Sequence, residues 1–434
     1  MKAHFKGLAI SFSVILALAA VGLAKKNFAA EGKNHKPVTS ELIQLLDKQP
    51  DLKMLLQQSL TAAAKANPDE ETNPVRTLED YYDFIDHSVG MLPQQIIADP
   101  AGSVRDQMLQ GICYFYFLVG QPLPELEGKG LFKNSLQYDP VFSAWMRAYA
   151  NAWGDYLDTE ASWSPELFEH VAKDPDFGFQ NGWYESPENW KTFNQFFSRN
   201  LVSPEVRPVA APDDPAVVVA PADSVPQGVW PIDQYSRIQV AGGLKVKLTT
   251  YYSVEDLLGA DSPYKDVFAG GMLTHTFLNV NDYHRYHFAV SGTIREGRIL
   301  QQNVALEVGW DAKEGKYVPI DSTGWQFSQT RGFVIVDTGK YGLVALIPMG
   351  MAQVSSVNFE KDVLPGTEHK KGDKLGYFLF GGSDFIMLFQ KHAGFEITVP
   401  TMTRIVKAPG ADQGRTVTTH DHVLVGEAYG VMKG

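Results

Sequence analysis

Residues 375–389 read LGYFLFGGSDFIMLF, two apolar runs on either side of Gly381-Gly382-Ser383-Asp384. Residues 377–380 and 385–389 have the aromatic and aliphatic make-up of buried strands, and the glycines between them read as a hairpin turn. The same texture extends upstream. Residues 333–336 and 343–347 flank Asp337-Thr338-Gly339-Lys340 as a second hairpin, and 238–240 and 244–248 flank Gly242-Gly243 as a third. Residues 217–219 are a short β-branched run. The chain from 217 to 434 is therefore expected to be mainly antiparallel β, with the Ser383 hairpin at its centre.

The first half has a different period. Leu42, Leu45, Leu46 and Leu52, Leu55, Leu56 recur at spacings of three and four, the mark of amphipathic helices. Residues 79–89 read as another helix, with Tyr81, Tyr82, Phe84 and Ile85 for a core. Residues 112–119 (ICYFYFLV) are too short to span a bilayer and predict the buried centre of a helical domain. Pro204, Pro208, Pro212 and Pro215 mark 203–216 as an extended connector. The fold class is α+β: a helical N-terminal domain at 37–202, the connector, then a mainly antiparallel β domain at 217–434.

At the extreme N-terminus, Lys2 and Lys6 precede an uncharged stretch at 7–24 that ends in Lys25-Lys26. That is the pattern of an export signal or a single membrane anchor. Lysines on both sides leave the orientation open. Residues 1–36 are set aside from the fold, and the chain is expected to be exported or membrane-tethered, in a cell envelope or a secretory pathway.

Over 434 residues, 38 Lys plus Arg against 50 Asp plus Glu leave a formal charge of −12, which argues against a nucleic-acid partner. The single cysteine, Cys113, rules out an internal disulfide or a cysteine-rich zinc site. The 44% hydrophobic content is enough for a sizeable core.

Three segments carry reactive groups. Asp223 follows an apolar strand and Pro221; alone it reads as a turn former. Asn281-Asp282-Tyr283-His284-Arg285-Tyr286-His287-Phe288 holds two histidines three apart, with His275 nearby. They lack the consistent ligand set of a metal site, but imidazole titrates near neutrality and suits acid–base work. In the third, Gly381-Gly382-Ser383, glycines permit a strained turn. The serine hydroxyl lies beside the Gly382–Ser383 peptide carbonyl, which it can attack.

Together these segments resemble the phosphatidylserine decarboxylases, which are pyruvoyl-dependent and self-processing. Residues 190–199 (WKTFNQFFSR) with Arg207-Pro208 are similar to the motif that leads into that family's catalytic domain. Residues 252–259 (YSVEDLLG) match its YS-x-x-x-LLG segment, and 348–357 (PMGMAQVSSV) are similar to a strand near its active site. The resemblance covers about 190–389 in the family's order, and the helical N-terminal region resembles the extra domain of one branch. That branch includes fungal enzymes acting on tryptophan instead of a lipid.

The resemblance implies a processing triad of Asp223, His287 and Ser383, with Asp223 orienting His287 and His287 taking the Ser383 proton. Cleavage at Gly382–Ser383 would give a β chain ending at 382 and an α chain of 383–434. The cofactor would be a pyruvoyl group made from Ser383, an electron sink in the manner of PLP. His287 would then act as general acid, with His284 the alternative for that step. No further cofactor and no metal is implied, and a homodimer is expected from the family.

Three positions depart from the family pattern: Asp384 for the usual Thr or Ser, Ser224 for a common glycine, and Phe288-Ala289 where a proline often follows. Asp384 adds charge beside the scissile bond and is expected to alter the cleavage rate. Three functions compete: a phosphatidylserine decarboxylase at a membrane, a decarboxylase of a free amino acid such as tryptophan, and an uncleaved, non-catalytic envelope protein.

Overall fold

The computed structural model describes residues 34–96, 103–246, 249–320, 325–351, 356–406 and 415–434. Nearly all of the expected signal or anchor at 1–36 lies outside the described residues. Among those described, no helix is long and apolar enough to cross a membrane.

Helices Pro37–Lys48 and Pro50–Ala66 each open on a proline, whose fixed φ and missing N–H suit a first helical turn. Their buried leucines include Leu42, Leu46, Leu52, Leu56 and Leu60. Helix Leu78–Ser88 starts with a reciprocal capping box between Thr77 and Asp80. In helix Val104–Val119, residues 112–119 are buried on every side, so this helix runs through the middle of the layer as its sequence predicts. Helix Pro140–Leu157 adds Phe142, Trp145, Tyr149 and Trp153 to the same core.

That core does not end at residue 202. Val308 and Tyr317 join it from the hairpin of Val308–Asp311 with Lys316–Pro319, Val304 and Leu306 from the stretch just before that hairpin, and Phe380 from the segment before Ser383. The Gln110 amide and the Tyr317 backbone exchange two hydrogen bonds across this junction, of 2.8 and 2.7 Å.

The second half is built on a seven-stranded sheet. Its strands are β1 (Val225–Pro231), β2 (Met272–Leu278), β3 (Gly292–Leu300), β4 (Thr330–Asp337), β5 (Leu343–Met351), β6 (Glu368–His369) and β7 (Gly382–Phe389), in the spatial order β6-β3-β4-β5-β7-β2-β1. Every neighbouring pair is antiparallel. β4 and β5 form the expected hairpin around Gly339–Tyr341.

Two expected hairpins are not formed. Strand Arg237–Val246 runs straight through Gly242-Gly243 and pairs with Thr249–Ser253, with a register irregularity between Gln239 and Leu244. Glycines inside a strand are accommodated as a bulge as readily as they make a turn. The two runs around Ser383 also separate. Lys374–Tyr377 pairs with Asn358–Phe359 and Arg285–His287 in a three-stranded sheet, whereas β7 lies between β5 and β2. The chain crosses between these sheets at residues 378–381, with Gly381 at φ 152°, a conformation that favours glycine. Ser383 is therefore inside a strand and not at a turn, because each apolar run finds a different distant partner.

Successive residues of β7 face opposite sides. Phe385, Met387 and Phe389 enter one core with Val334, Val344 and Leu346; Ile386 and Leu388 enter the other with Phe333, Ala345 and Ile347. Phe380, fully buried against Trp153, Phe193 and Phe197, ties the crossover to the helical layer. Phe380→Ala is expected to cost about 3–5 kcal/mol of stability, read as a drop in the urea midpoint. A midpoint equal to wild type would show that the helical layer does not hold this crossover.

Candidate active site

Ser383 occupies the second position of β7, opposite Gly350 of β5 and Leu278 of β2. It is fully buried, and its Oγ has no hydrogen-bond partner. A hydroxyl left alone in a strand interior is uncommon and marks a position kept for something other than stability. Just upstream, the Phe380 N–H donates to Asn194 Oδ1 at 3.1 Å, so the glycine pair is held on both sides.

Asp223 is buried in front of β1. Arg207 grips it with both ends of its guanidinium, Nη2 to Oδ2 at 2.8 Å and Nε to Oδ1 at 3.3 Å. The Val425 N–H donates to Oδ1 at 2.7 Å. Arg207 itself lies over the Trp183 ring at 4.2 Å. The proline-rich 203–216 stretch thus delivers a buried countercharge to the site and is more than a spacer.

His287 lies beside the Asp223 segment, its backbone N–H donating to Pro221 at 2.8 Å. Its Nδ1 is 2.7 Å from the Gly372 carbonyl, which can only accept, so Nδ1 carries the proton. Nε2 is then the basic nitrogen, and it meets the Tyr283 hydroxyl at 3.2 Å. Burial lowers the pKa of His287 to about 4, so the ring is neutral at neutral pH.

His284 is more enclosed. Its ring stacks on Phe197 at 3.9 Å between centroids, and its backbone carbonyl accepts the Phe378 N–H at 2.9 Å. Nδ1 is 2.9 Å from the Asp282 carbonyl, again placing the proton there, and Nε2 has no partner. Burial, with Arg199 adding to it, holds its pKa well below the usual histidine value.

The structure gathers the three segments at one end of the sheet but does not join Asp223, His287 and Ser383 by hydrogen bonds. Ser224 bridges to Val423 and Val225 pairs with Phe277, so Asp223 lies about two strand spacings, roughly 10 Å, from the Ser383 position. Ser224 Oγ donates to the Ala222 carbonyl and accepts from Thr276 Oγ1, at 3.0 and 2.7 Å, which gives this departure from glycine a structural use. Phe288 is buried and stacks on His369 with centroids 4.4 Å apart.

Four further residues belong to the site that their sequence context did not single out. Tyr283 and Gly372 fix the His287 ring as above. Asp282 is buried and meets His422 Nε2 at 3.0 Å. Burial alone would lower the pKa of His422, but Asp282, helped by Asp223, leaves it raised. The His-Asp-His sequence at 420–422 was the available signal for His422. Among the described residues, one convergent set of potential metal ligands occurs, His35, Asp83 and Asp86, in the helical layer and not at Ser383.

A cleft of about 390 Å³ opens beside this cluster, lined by Leu201, Glu205, Arg207, Val209, His287 and Val425 among others.

The profile of the phosphatidylserine decarboxylase family matches residues 193–409. The chain is 34% identical over 207 residues to phosphatidylserine decarboxylase proenzyme 2 of Oryza sativa subsp. japonica, covering 48% of this chain and 30% of that protein. It is 28% identical over 298 residues to decarboxylase iboD of Amanita muscaria, covering 61% and 82%. It is 27% identical over 229 residues to the phosphatidylserine decarboxylase proenzyme of Vibrio campbellii, covering 48% and 74%. The match thus spans less than a third of the rice protein's length but most of the fungal and bacterial ones.

Stability should report the buried state of His287. Its folded pKa of about 4 lies below the roughly 6.5 of an unfolded histidine. The unfolded chain therefore binds the proton first. This contribution is complete above about pH 6.5 and is lost as pH falls toward 4. It amounts to roughly 3 kcal/mol. Urea midpoints measured from pH 7.5 to 4.5 should fall less steeply in His287→Asn than in wild type; equal slopes would place the imidazole in water.

Proposed function

This chain belongs to the phosphatidylserine decarboxylase family, and we propose that it is a self-processing, pyruvoyl-dependent carboxy-lyase cut between Gly382 and Ser383. The observation that carries this reading is the buried, partnerless Ser383 Oγ directly after the glycine pair.

The chemistry balances with the residues at hand. Ser383 Oγ bonds to the Gly382 carbonyl carbon, and its proton passes to His287 Nε2, the basic nitrogen of that ring. The Gly382–Ser383 C–N bond breaks, and the proton moves on to the released nitrogen, leaving an ester. Removal of the Ser383 α-proton expels Gly382 as a carboxylate. Water then replaces the amino nitrogen of residue 383, ammonia leaves, and a pyruvoyl group remains at the head of the α chain. Asp223 is assigned to orienting His287 by its negative charge. Reaching it directly requires Arg207 to yield one carboxylate oxygen.

The pyruvoyl ketone supplies the electron sink that an amine-bearing substrate needs as CO₂ departs. Substrate enters through the cleft that His287 and Arg207 line. Both histidines present an unprotonated Nε2 at neutral pH. His287 serves as the proton donor to the product carbon once it has taken a proton. His284 is the alternative, favoured by the free Nε2 and its place next to the segment leading to Ser383.

The substrate proposed first is phosphatidylserine, giving phosphatidylethanolamine, in keeping with the rice and Vibrio relatives; the enzyme then works at a membrane as an exported or tethered protein. The second reading is a free amino acid such as tryptophan. It is kept open because the longest of the three alignments, 298 residues, is to decarboxylase iboD, whose name carries no phospholipid. The two chains of 1–382 and 383–434 stay associated, and a homodimer is expected.

Intact mass under denaturing conditions should give two chains divided at Gly382–Ser383, the smaller with a blocked N-terminus. A single unbroken wild-type chain would favour a non-catalytic protein. Ser383→Ala should stay whole and inactive, and Asp223→Asn and His287→Ala should slow cleavage at least a hundredfold. Wild-type cleavage in the last two would leave Ser383 with another base. CO₂ release from phosphatidylserine vesicles, compared with free tryptophan and serine, separates the two substrates.

A further inference from the structure

Asp384 directly follows the scissile bond, yet strand alternation turns its side chain to the face opposite Ser383. There it is 1% exposed, beside Ile386 and opposite Met349. A carboxylate so placed needs a partner, since burying an uncompensated charge is costly. Neither of its oxygens accepts a well-aligned hydrogen bond. Its one ion-pair neighbour among the described residues is His275, with Nε2 2.8 Å from Oδ2. His275 is likewise buried, 6% exposed. The register explains the meeting: Asp384 pairs with Phe277 and Ile386 with His275, so the two side chains are diagonal neighbours on one face of β7 and β2. Arg331 reaches the same face two strands away, opposite Met349, but gives its N–H groups to the Leu257, Asp256 and Gln329 carbonyls and to Gln302.

We propose that His275 is a positioning residue for self-cleavage, which compensates the Asp384 carboxylate behind the scissile bond. This rests on the reading that the chain cleaves at Gly382–Ser383. As Ser383 Oγ bonds to Gly382, negative charge builds on the Gly382 oxygen, and it builds again when the Ser383 α-proton leaves. An unscreened carboxylate on the next residue opposes both events in a dry interior. His275 Nε2, 2.8 Å from Oδ2, is placed to offset that carboxylate when it carries the proton. Asp384 and His275 thus act as a unit: the departure from Thr or Ser at 384 is tolerated because His275 stands behind it.

The test follows cleavage of freshly translated precursor by intact mass, with thermal unfolding as the measure of folding. Wild type must cleave; if it stays whole, the reading of the cleavage site fails before this inference is reached. His275→Leu should slow cleavage tenfold or more, and His275→Gln, which keeps a donor, should recover most of the rate. Adding Asp384→Thr to His275→Leu should restore the wild-type rate, because the charge that needed compensation is gone. A purely structural role for His275 predicts the opposite, that the double variant stays as slow as His275→Leu. That result, or a His275→Leu rate within twofold of wild type, overturns the proposal. Should His275→Leu fail to fold, Asp384→Thr alone decides: it cleaves at least as fast as wild type if the inference holds, and tenfold slower if Asp384 is itself needed.

Discussion

Strand β7 is paired on both sides from Ser383 to Phe389, with β5 on one flank and β2 on the other, and Gly382 pairs with β5 alone. A central strand has its backbone donors and acceptors committed to its neighbours. A cut at its first peptide bond removes one covalent link and leaves that ladder intact from Asp384 onward. The strand's side chains also enter two separate cores, so packing as well as hydrogen bonding secures it. The terminus that the proposed cut would create is thereby kept at a defined place in the sheet.

The other side of the bond is held by a different body. Phe380 sits among Trp153, Phe193 and Phe197 of the helical layer, and its N–H is bound to Asn194. The Gly382–Ser383 peptide lies between these two anchors. The N-terminal helices consequently bear on the placement of the proposed cleavage bond. The 308–319 hairpin reinforces this by returning from the β half into the helical core.

The buried carboxylates of this region each lie against a basic side chain. Arg207 saturates Asp223, His422 meets Asp282, and His275 meets Asp384 on the far face. His287 and His284 are instead left neutral by burial. A neutral imidazole with its proton fixed on Nδ1 by a carbonyl is a base ready at Nε2.

The sequence alone determined the family and named the candidate reactive residues. Glycine before serine, the paired histidines and the aspartate after a strand are local patterns, and their order along the chain is legible without a fold. Helical periodicity likewise marked the N-terminal layer, because an amphipathic helix writes its buried face into its own spacing. Strand partners are not written that way. Gly242-Gly243 and Gly381-Gly382 both looked like turns, and the pairing of distant strands made one a passage within a strand and the other a crossing between sheets. The partners of Asp223 and Asp384 were hidden for the same reason: Arg207 and His275 reach them through tertiary register, 16 residues away in one case and across a strand pair in the other. What the residues can do is local chemistry; which of them meet is decided only when the sheet closes around β7.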